Sequence, residues 1–226
     1  QNSPRIEGFD IAGSTLSGQE IGGDYFDYLF GDTCPNPHLD IIVGDVTGHG
    51  VEAALLMTTA RAHLRMQAQR SSCESLADSL AELNRHLVLD VLDTGRFMTL
   101  FYLRLNPDTR YLTWARAGHP PAVVYSPAAD RFTELSGRGI ALGLDPKYLF
   151  EENAARDLVD GTVIAIGTDG IWEMHNKAGE MFGKKALMEI IRYNQTATAR
   201  QIVDTVTAAH ERFRGDEARE DEVTMV

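Results

Sequence analysis

The chain has little that would tie it to a zinc fold, a membrane or a nucleic acid. Its two cysteines, Cys34 and Cys73, have no CxxC spacing, so neither a zinc site nor a redox pair is indicated, and two reduced thiols are expected. No apolar run approaches the roughly 20 residues of a membrane span, and no signal peptide opens the chain. Positive charge is scarce: 21 Lys and Arg against 33 Asp and Glu leave −12, which argues against nucleic acid or an anionic membrane as the main partner. No Gly/Ser-rich or Pro-rich linker, charge block, low-complexity tract or internal repeat divides the 226 residues, so one domain with a substantial core is expected. Gln1-Asn2-Ser3-Pro4 reads as linker, and residues 1–8 are taken as the remnant of an upstream region ahead of a domain at 9–226.

The organising stretch is 39–57. Ile41-Ile42-Val43 reads as a buried strand ending in Gly44-Asp45, and the turn Val46-Thr47-Gly48-His49-Gly50 leads into an apolar helical run. A carboxylate at a strand end, beside glycines that let backbone approach closely, can reach a metal or a phosphate.

Around it, strands are predicted over 9–16, 25–30, 97–105, 111–117, 122–125, 131–135, 161–167 and 222–226, with a turn at 31–38. A first helix is predicted over about 51–69, with Leu55, Thr59, Ala62 and Met66 on one face. A second, over about 73–92, carries a stripe of Leu76, Leu80, Leu83, Leu87 and Leu92, read as core, with a dimer surface as the lesser alternative. Ser71 to Glu74 offers the break and N-terminal cap between them. Two amphipathic helices are predicted near 184–194 and 198–214. Blocks of strands interrupted by pairs of helices fit an α+β antiparallel sandwich covered by helices, not a βαβ alternation.

Four aspartates share a local grammar. Asp45 and Asp169 each follow an apolar strand and precede glycine-assisted turns, Asp221 precedes the terminal strand, and Asp24 follows Gly22-Gly23 at a strand start. Singly, each reads as a turn residue or a cap. Gathered at one sheet edge they would repel unless cations sat between them, and hard oxygen ligands suit Mg(II) or Mn(II).

In this order, Gly22-Gly23-Asp24-Tyr25-Phe26-Asp27, Gly44-Asp45-Val46-Thr47-Gly48-His49-Gly50, Ala117-Gly118-His119-Pro120-Pro121, Thr168-Asp169-Gly170 and Asp221-Glu222-Val223-Thr224 resemble the motifs of metal-dependent PPM-type protein serine/threonine phosphatases, most closely the bacterial SpoIIE/RsbU-like branch. The resemblance implies an α/β-β/α sandwich, two mainly antiparallel central sheets flanked by helices. It implies two divalent cations, Mn(II) or Mg(II), with Asp45 bridging both and the Val46 carbonyl on one. Asp169 and Asp221 would hold the second, and Asp24 would act directly or through water, so that Asp45, Asp169 and Asp24 form the catalytic set. His49 is the candidate proton donor, and Asp27 a candidate supporting residue; His119 reads as a turn residue bracing the sheet edge.

The implied reaction is hydrolysis of phosphoserine or phosphothreonine by a two-metal-activated water. The implied partners are a phosphorylated anti-sigma-factor antagonist-like protein, an upstream sensor or receiver domain and a second copy in a homodimer. No nucleic acid or membrane contact is implied for this domain. The implied location is the cytoplasm, including the cytoplasmic part of a membrane-linked sensor.

Three departures from the branch stand out: Glu52 where proline is common, Gly167 where a bulkier residue is usual, and Glu222 in place of a second aspartate. None removes a proposed ligand, so a phosphatase-like binding module without hydrolysis is the alternative rather than the expectation. A nucleotide or small-ester phosphohydrolase is weaker, because the chain has no P-loop and no HD motif. The helices at 51–92, joined directly to the Asp45 turn, are expected to carry regulation.

Overall fold

A computed structural model describes residues 3–18, 21–31, 37–70, 74–91, 95–155, 158–216, 219 and 221–226. Cys34, Cys73, Leu92, the Ser71-Ser72 break and most of the 31–38 turn lie outside the described residues. In chain order the elements are β1 (Ser14–Leu16), β2 (Tyr25–Phe30), β3 (Leu39–Val46), α1 (Val51–Arg70), α2 (Leu76–Val91), β4 (Met98–Asn106), β5 (Tyr111–Ala117) and β6 (Ala122–Ser126). There follow β7 (Arg131–Leu135), β8 (Glu152–Ala155), β9 (Val163–Ala165), α3 (Gly183–Tyr193), α4 (Ala199–Arg214) and β10 (Val223–Met225).

One sheet runs β2-β3-β4-β5-β8, antiparallel throughout. The other is assembled from β7-β6-β9 and β1-β10. Beyond β9, Ile166 and Val226 exchange backbone hydrogen bonds and the Thr168 N–H donates to the Thr224 carbonyl, so β10 continues the sheet. The expected α+β sandwich is what forms, with α1 and α2 outside the first sheet and α3 and α4 outside the second.

Strand β3 shows why its sequence is apolar almost without interruption. Leu39, Ile41 and Val43 point into the core between the sheets with Phe101, Leu103 and Leu105. Ile42 and Val46 point the other way, into the layer beneath α1 and α2. A strand covered on both faces loses the simple alternation of a half-exposed one. Asp45 belongs to the inter-sheet side by alternation and ends that row where the two sheets open.

The stripe on α2 packs as read: Leu76, Leu80, Leu83 and Leu87 are all buried. The helix starts at Ser75, whose hydroxyl accepts the Asp78 N–H at 3.1 Å, one residue beyond the break expected from sequence. The face expected for α1 is wrong. Leu55, Thr59, Ala62 and Met66 are exposed, Leu55 at 62%, and the buried row is Ala53, Leu56, Ala60 and Leu64. Alanines at two contact positions let α1 lie close to the sheet, so the buried row is the less bulky one.

One strand expectation shifts, and one strand, β8, was not expected from sequence. Only Ser14–Leu16 of the 9–16 segment pairs in a ladder, because the Phe9 N–H turns back to the Ile6 carbonyl and Asp10 accepts the Ala199 N–H at the start of α4. The edge strand β8, Glu-Asn-Ala-Ala, has no apolar pattern; it pairs with β5, and its Glu152 carboxylate accepts the Leu76 N–H at the start of α2. Thr198 closes the other end of the same α4 start with a capping box to Gln201. Among the described residues no helix is long and apolar enough to cross a membrane.

Candidate metal centre

Four chain segments meet where β3 ends. The Gly22-Gly23-Asp24 segment enters β2, the 45–50 turn leaves β3, Thr168-Asp169-Gly170 leaves β9, and Asp221-Glu222 enters β10. Their approach is too close for side chains at the glycines. A Cβ at Gly23 would stand 2.7 Å from the Val46 carbonyl oxygen, and one at Gly170 would stand 2.0 Å from the Glu222 carbonyl oxygen. Gly48 and Gly50 have φ of +79° and +88°, the left-handed region that lets the turn fold back above β3. Gly170→Ala should therefore cost about 1–3 kcal/mol of stability by overpacking against backbone that cannot rotate away; a chemical denaturation midpoint equal to wild type would contradict this.

The acidic groups feel one another. Asp45 is pushed up to about 7, first by burial and then by repulsion from Asp169, Asp221 and Glu222. Asp24 is pushed up to about 8 by burial, with further repulsion from Asp45 and Glu222. Asp169 is raised by burial and by Asp221, and Glu222 by burial with a smaller push from Asp221. Among the described residues, no ion pair joins Asp24, Asp45, Asp169, Asp221 or Glu222 to a cationic side chain. All-oxygen, uncompensated and partly buried at all but the exposed Asp221, the group fits hard divalent cations.

Threonines fix Asp24. The Thr168 hydroxyl donates to Asp24 Oδ2 at 2.9 Å and itself receives the Thr224 N–H at 3.1 Å. The Thr224 hydroxyl lies 2.9 Å from that of Thr15. The Asp24 N–H donates to Glu222 Oε2 at 2.8 Å. Thr168, Thr224 and Glu222 were not among the residues expected from sequence to serve the site. The only available signal was that each adjoins a motif aspartate or belongs to a motif.

The other sequence candidates separate. Val46 sits at the strand end with its carbonyl under Gly23. His49 is exposed on the turn. Asp27 does not join the group, and its expected supporting role there is corrected. One residue of alternation from Phe26 turns it toward the helices, where it accepts from Arg65 Nε at 2.6 Å, Arg65 Nη2 at 2.7 Å and the Tyr25 hydroxyl at 2.8 Å. His119 is wholly buried, and burial pushes its pKa down to about 3. Its Nδ1 lies 2.9 Å from the hydroxyl of Thr99, the residue paired across from Asp45, so it braces the strand end as a neutral ring.

The departures have local explanations. Glu52 accepts from Arg96 Nη2 at 2.9 Å while Arg96 Nη1 donates to the Thr47 carbonyl at 2.6 Å, so one guanidinium ties the turn to the first turn of α1. A Cβ at Gly167 would meet Ile171 at 2.3 Å, which explains the absent side chain. An apolar cavity of about 330 Å³ is lined in part by Ile41, Leu105, Leu112 and Ile164, and by none of the Asp24, Asp45, Asp169 and Asp221 carboxylates.

Residues 35–226 match the family described as Stage II sporulation protein E (SpoIIE). The chain is similar to the phosphoserine phosphatase RsbU of Bacillus subtilis (strain 168), 27% identical over 203 residues that cover 90% of this chain and 58% of RsbU. It therefore spans a little under three-fifths of that relative's length. Among solved structures it is similar to the SiaA-PP2C domain of Pseudomonas aeruginosa, with a TM-score of 0.79 at 20% identity over 94% of this chain and 83% of that one. It is also similar to RsbX in complex with magnesium, with a TM-score of 0.65 at 17% identity over 94% and 90% of the two chains. These two likenesses are of fold.

Proposed function

This chain belongs to the SpoIIE family, within the PPM-type protein phosphatases, and from that premise we propose that it hydrolyses phosphoserine or phosphothreonine on a partner protein at the Asp24, Asp45, Asp169 and Asp221 cluster. The observation that carries the reading is a group of carboxylates drawn from four distant segments, partly buried at Asp24, Asp45 and Asp169, with no cationic side chain paired to them among the described residues. Two divalent cations, Mn(II) or Mg(II), would supply an acidified water and would offset phosphoryl charge.

The chain's own residues do the holding. Asp45 and the Val46 carbonyl would hold the cations at the end of β3, and Asp169 and Asp221 would hold them from the facing segments. Asp24 keeps its orientation through Thr168, and Glu222 steadies the loop that carries Asp24 by accepting its N–H. His49, exposed beside the mouth, is the candidate proton donor to the leaving serine or threonine oxygen. His119 is not assigned that role, because burial disfavours its charged imidazolium, the form that would act as the acid.

The substrate class is a phosphorylated partner-switching protein of the anti-sigma-factor antagonist kind, and an upstream sensor or receiver region, a linker at 1–8 and a homodimer complete the proposed setting. The test is phosphate release from a serine-phosphorylated protein of that class, with p-nitrophenyl phosphate for comparison. Release should require Mn(II) or Mg(II), stop on addition of EDTA, and favour the phosphoprotein. Binding of the phosphoprotein without any release, in either metal, would instead support the binding-module alternative. Preference for the small ester would overturn the substrate class.

A further inference from the structure

A second cluster stands apart from the aspartates, on the α1–α2 hairpin. We propose that His63 of α1 and Glu82 and His86 of α2 form a separate site for a borderline transition-metal ion such as Zn(II), joining the two helices. One ligand atom from each residue lies within 4.8 Å of the other two. The two imidazole rings lie 4.6 Å apart between centroids, tilted by 48°. Glu82 and His86 are one helical turn apart on α2 and so share a face.

Two further observations point to a ligand rather than to chance proximity. His63 Nε2 is buried and has no hydrogen-bond partner, an unsatisfied ring nitrogen on a residue of the cluster. Glu82 is already aimed: Gln67, one turn beyond His63 on α1, donates from Nε2 to Glu82 Oε2 at 2.8 Å and to the Ser79 carbonyl at 3.3 Å. An amide that orients a metal-binding carboxylate is the usual outer support of such sites.

Protonation agrees with the geometry. Burial, and then His86, lowers the His63 pKa, leaving a neutral imidazole available near neutral pH. Glu82 is held low first by the Gln67 hydrogen bond, and so stays ionised.

Two imidazole nitrogens and one carboxylate oxygen prefer Zn(II), Co(II), Ni(II) or Cu(II) to Mg(II). The all-oxygen aspartate group has the opposite preference. Bonds of about 2.0–2.2 Å draw ligands closer than they now stand. The exposed His86 and the half-buried Glu82 can close that gap by side-chain rotation. His63 lies twelve residues into α1, about 18 Å along the axis from Val51, so the two centres are physically distinct.

The experiment uses the whole chain and adds Zn(II) or Co(II) alone. Binding is counted by equilibrium dialysis, coordination is read from Co(II) visible absorption, and melting is followed with and without Zn(II). Wild type and Asp45→Asn should both show an intense Co(II) band typical of nitrogen-containing four-coordination. Both should gain about 5–10 °C in Tm at a Zn(II) concentration of about 100 times Kd. His63→Ala and His86→Ala should lose the band, that Tm gain and one Zn(II) equivalent, and Gln67→Ala should weaken binding about 10-fold or more. Since His86 is exposed, His86→Ala keeps the fold and guards against a folding artefact. Equal Zn(II) stoichiometry and equal Tm gain in wild type and His86→Ala would overturn the proposal. So would loss of all Zn(II) binding in Asp45→Asn.

Discussion

Asp45→Asn is expected to reduce phosphate release from a phosphoprotein by at least about 10³-fold and, in the same protein stripped of metal, to raise thermal stability. The first effect follows from position. On the proposed reading Asp45 would hold the cations, so its loss would weaken their binding, and each tenfold of rate corresponds to about 1.4 kcal/mol of transition-state stabilisation. The second effect follows from repulsion. Asp45 and Asp24, with folded pKa values of about 7 and about 8 against 3.8 for a free carboxyl, gain protons on folding across the interval between. The folded state then binds more protons than the unfolded one, so stability falls as pH rises. It is fully present below about pH 4 and is lost as pH climbs through the folded values.

Asn at 45 does not ionise and relieves Asp24 as well. At pH 8 without metal, its Tm should exceed wild type by about 3–6 °C. Adding Mn(II) should reverse the order, because only wild type recovers the charge balance. Differential scanning calorimetry at pH 5 and pH 8, with and without Mn(II), reads all of this. A metal-free variant less stable than wild type at pH 8 would show that Asp45 is held by something other than a cation.

Asp27→Ala should have the larger effect on folding and little effect on metal affinity. The Asp27 carboxylate is completely buried and accepts from Arg65, the Tyr25 hydroxyl and the Tyr28 N–H, with Arg61 Nε 3.7 Å away. Burial pushes its pKa up, but these hydrogen bonds outweigh burial and hold it below the ordinary carboxylate value. Removing it strands a buried hydroxyl and an N–H. Breaking such a pair costs about 3–5 kcal/mol. Arg65 is 43% exposed and can rehydrate, which favours the lower end of that range. The Tm should drop by about 6–12 °C, with Mn(II) affinity within about twofold of wild type, since additivity holds between sites without shared partners. A large loss of Mn(II) affinity at unchanged Tm would return Asp27 to the metal centre.

The contrast between these two aspartates shows what the sequence can carry. The placement of Asp45, Asp169 and Asp221 at strand ends was legible because strand ends and glycine turns leave a local mark. Asp27 was not, because its direction depends on strand alternation and on Arg65, 38 residues away. The leucine stripe of α2 could be read because one bulky residue type repeats at helical spacing. In α1 the exposed face carries Leu55 and Met66 and the buried one carries two alanines, so size misled where close packing against the sheet decides. Strand β8 left no pattern because its sequence, Glu-Asn-Ala-Ala, has neither bulky β-prone residues nor apolar alternation, and its pairing to β5 is non-local. The roles of Thr168 and Glu222 depend on segments 144 and 198 residues from Asp24, which only the closed sandwich brings together.

The central claim is that Asp24, Asp45, Asp169 and Asp221 serve one divalent-cation centre. Anomalous diffraction at the manganese edge, from crystals of the chain grown with Mn(II), tests it most directly. The account predicts strong peaks coordinated by the Asp45 carboxylate and, between them, by Asp169, Asp221 and the Val46 carbonyl, all missing in Asp45→Asn crystals. Saturating Mn(II) with no peak among these carboxylates, or peaks that persist unchanged in Asp45→Asn, would contradict it.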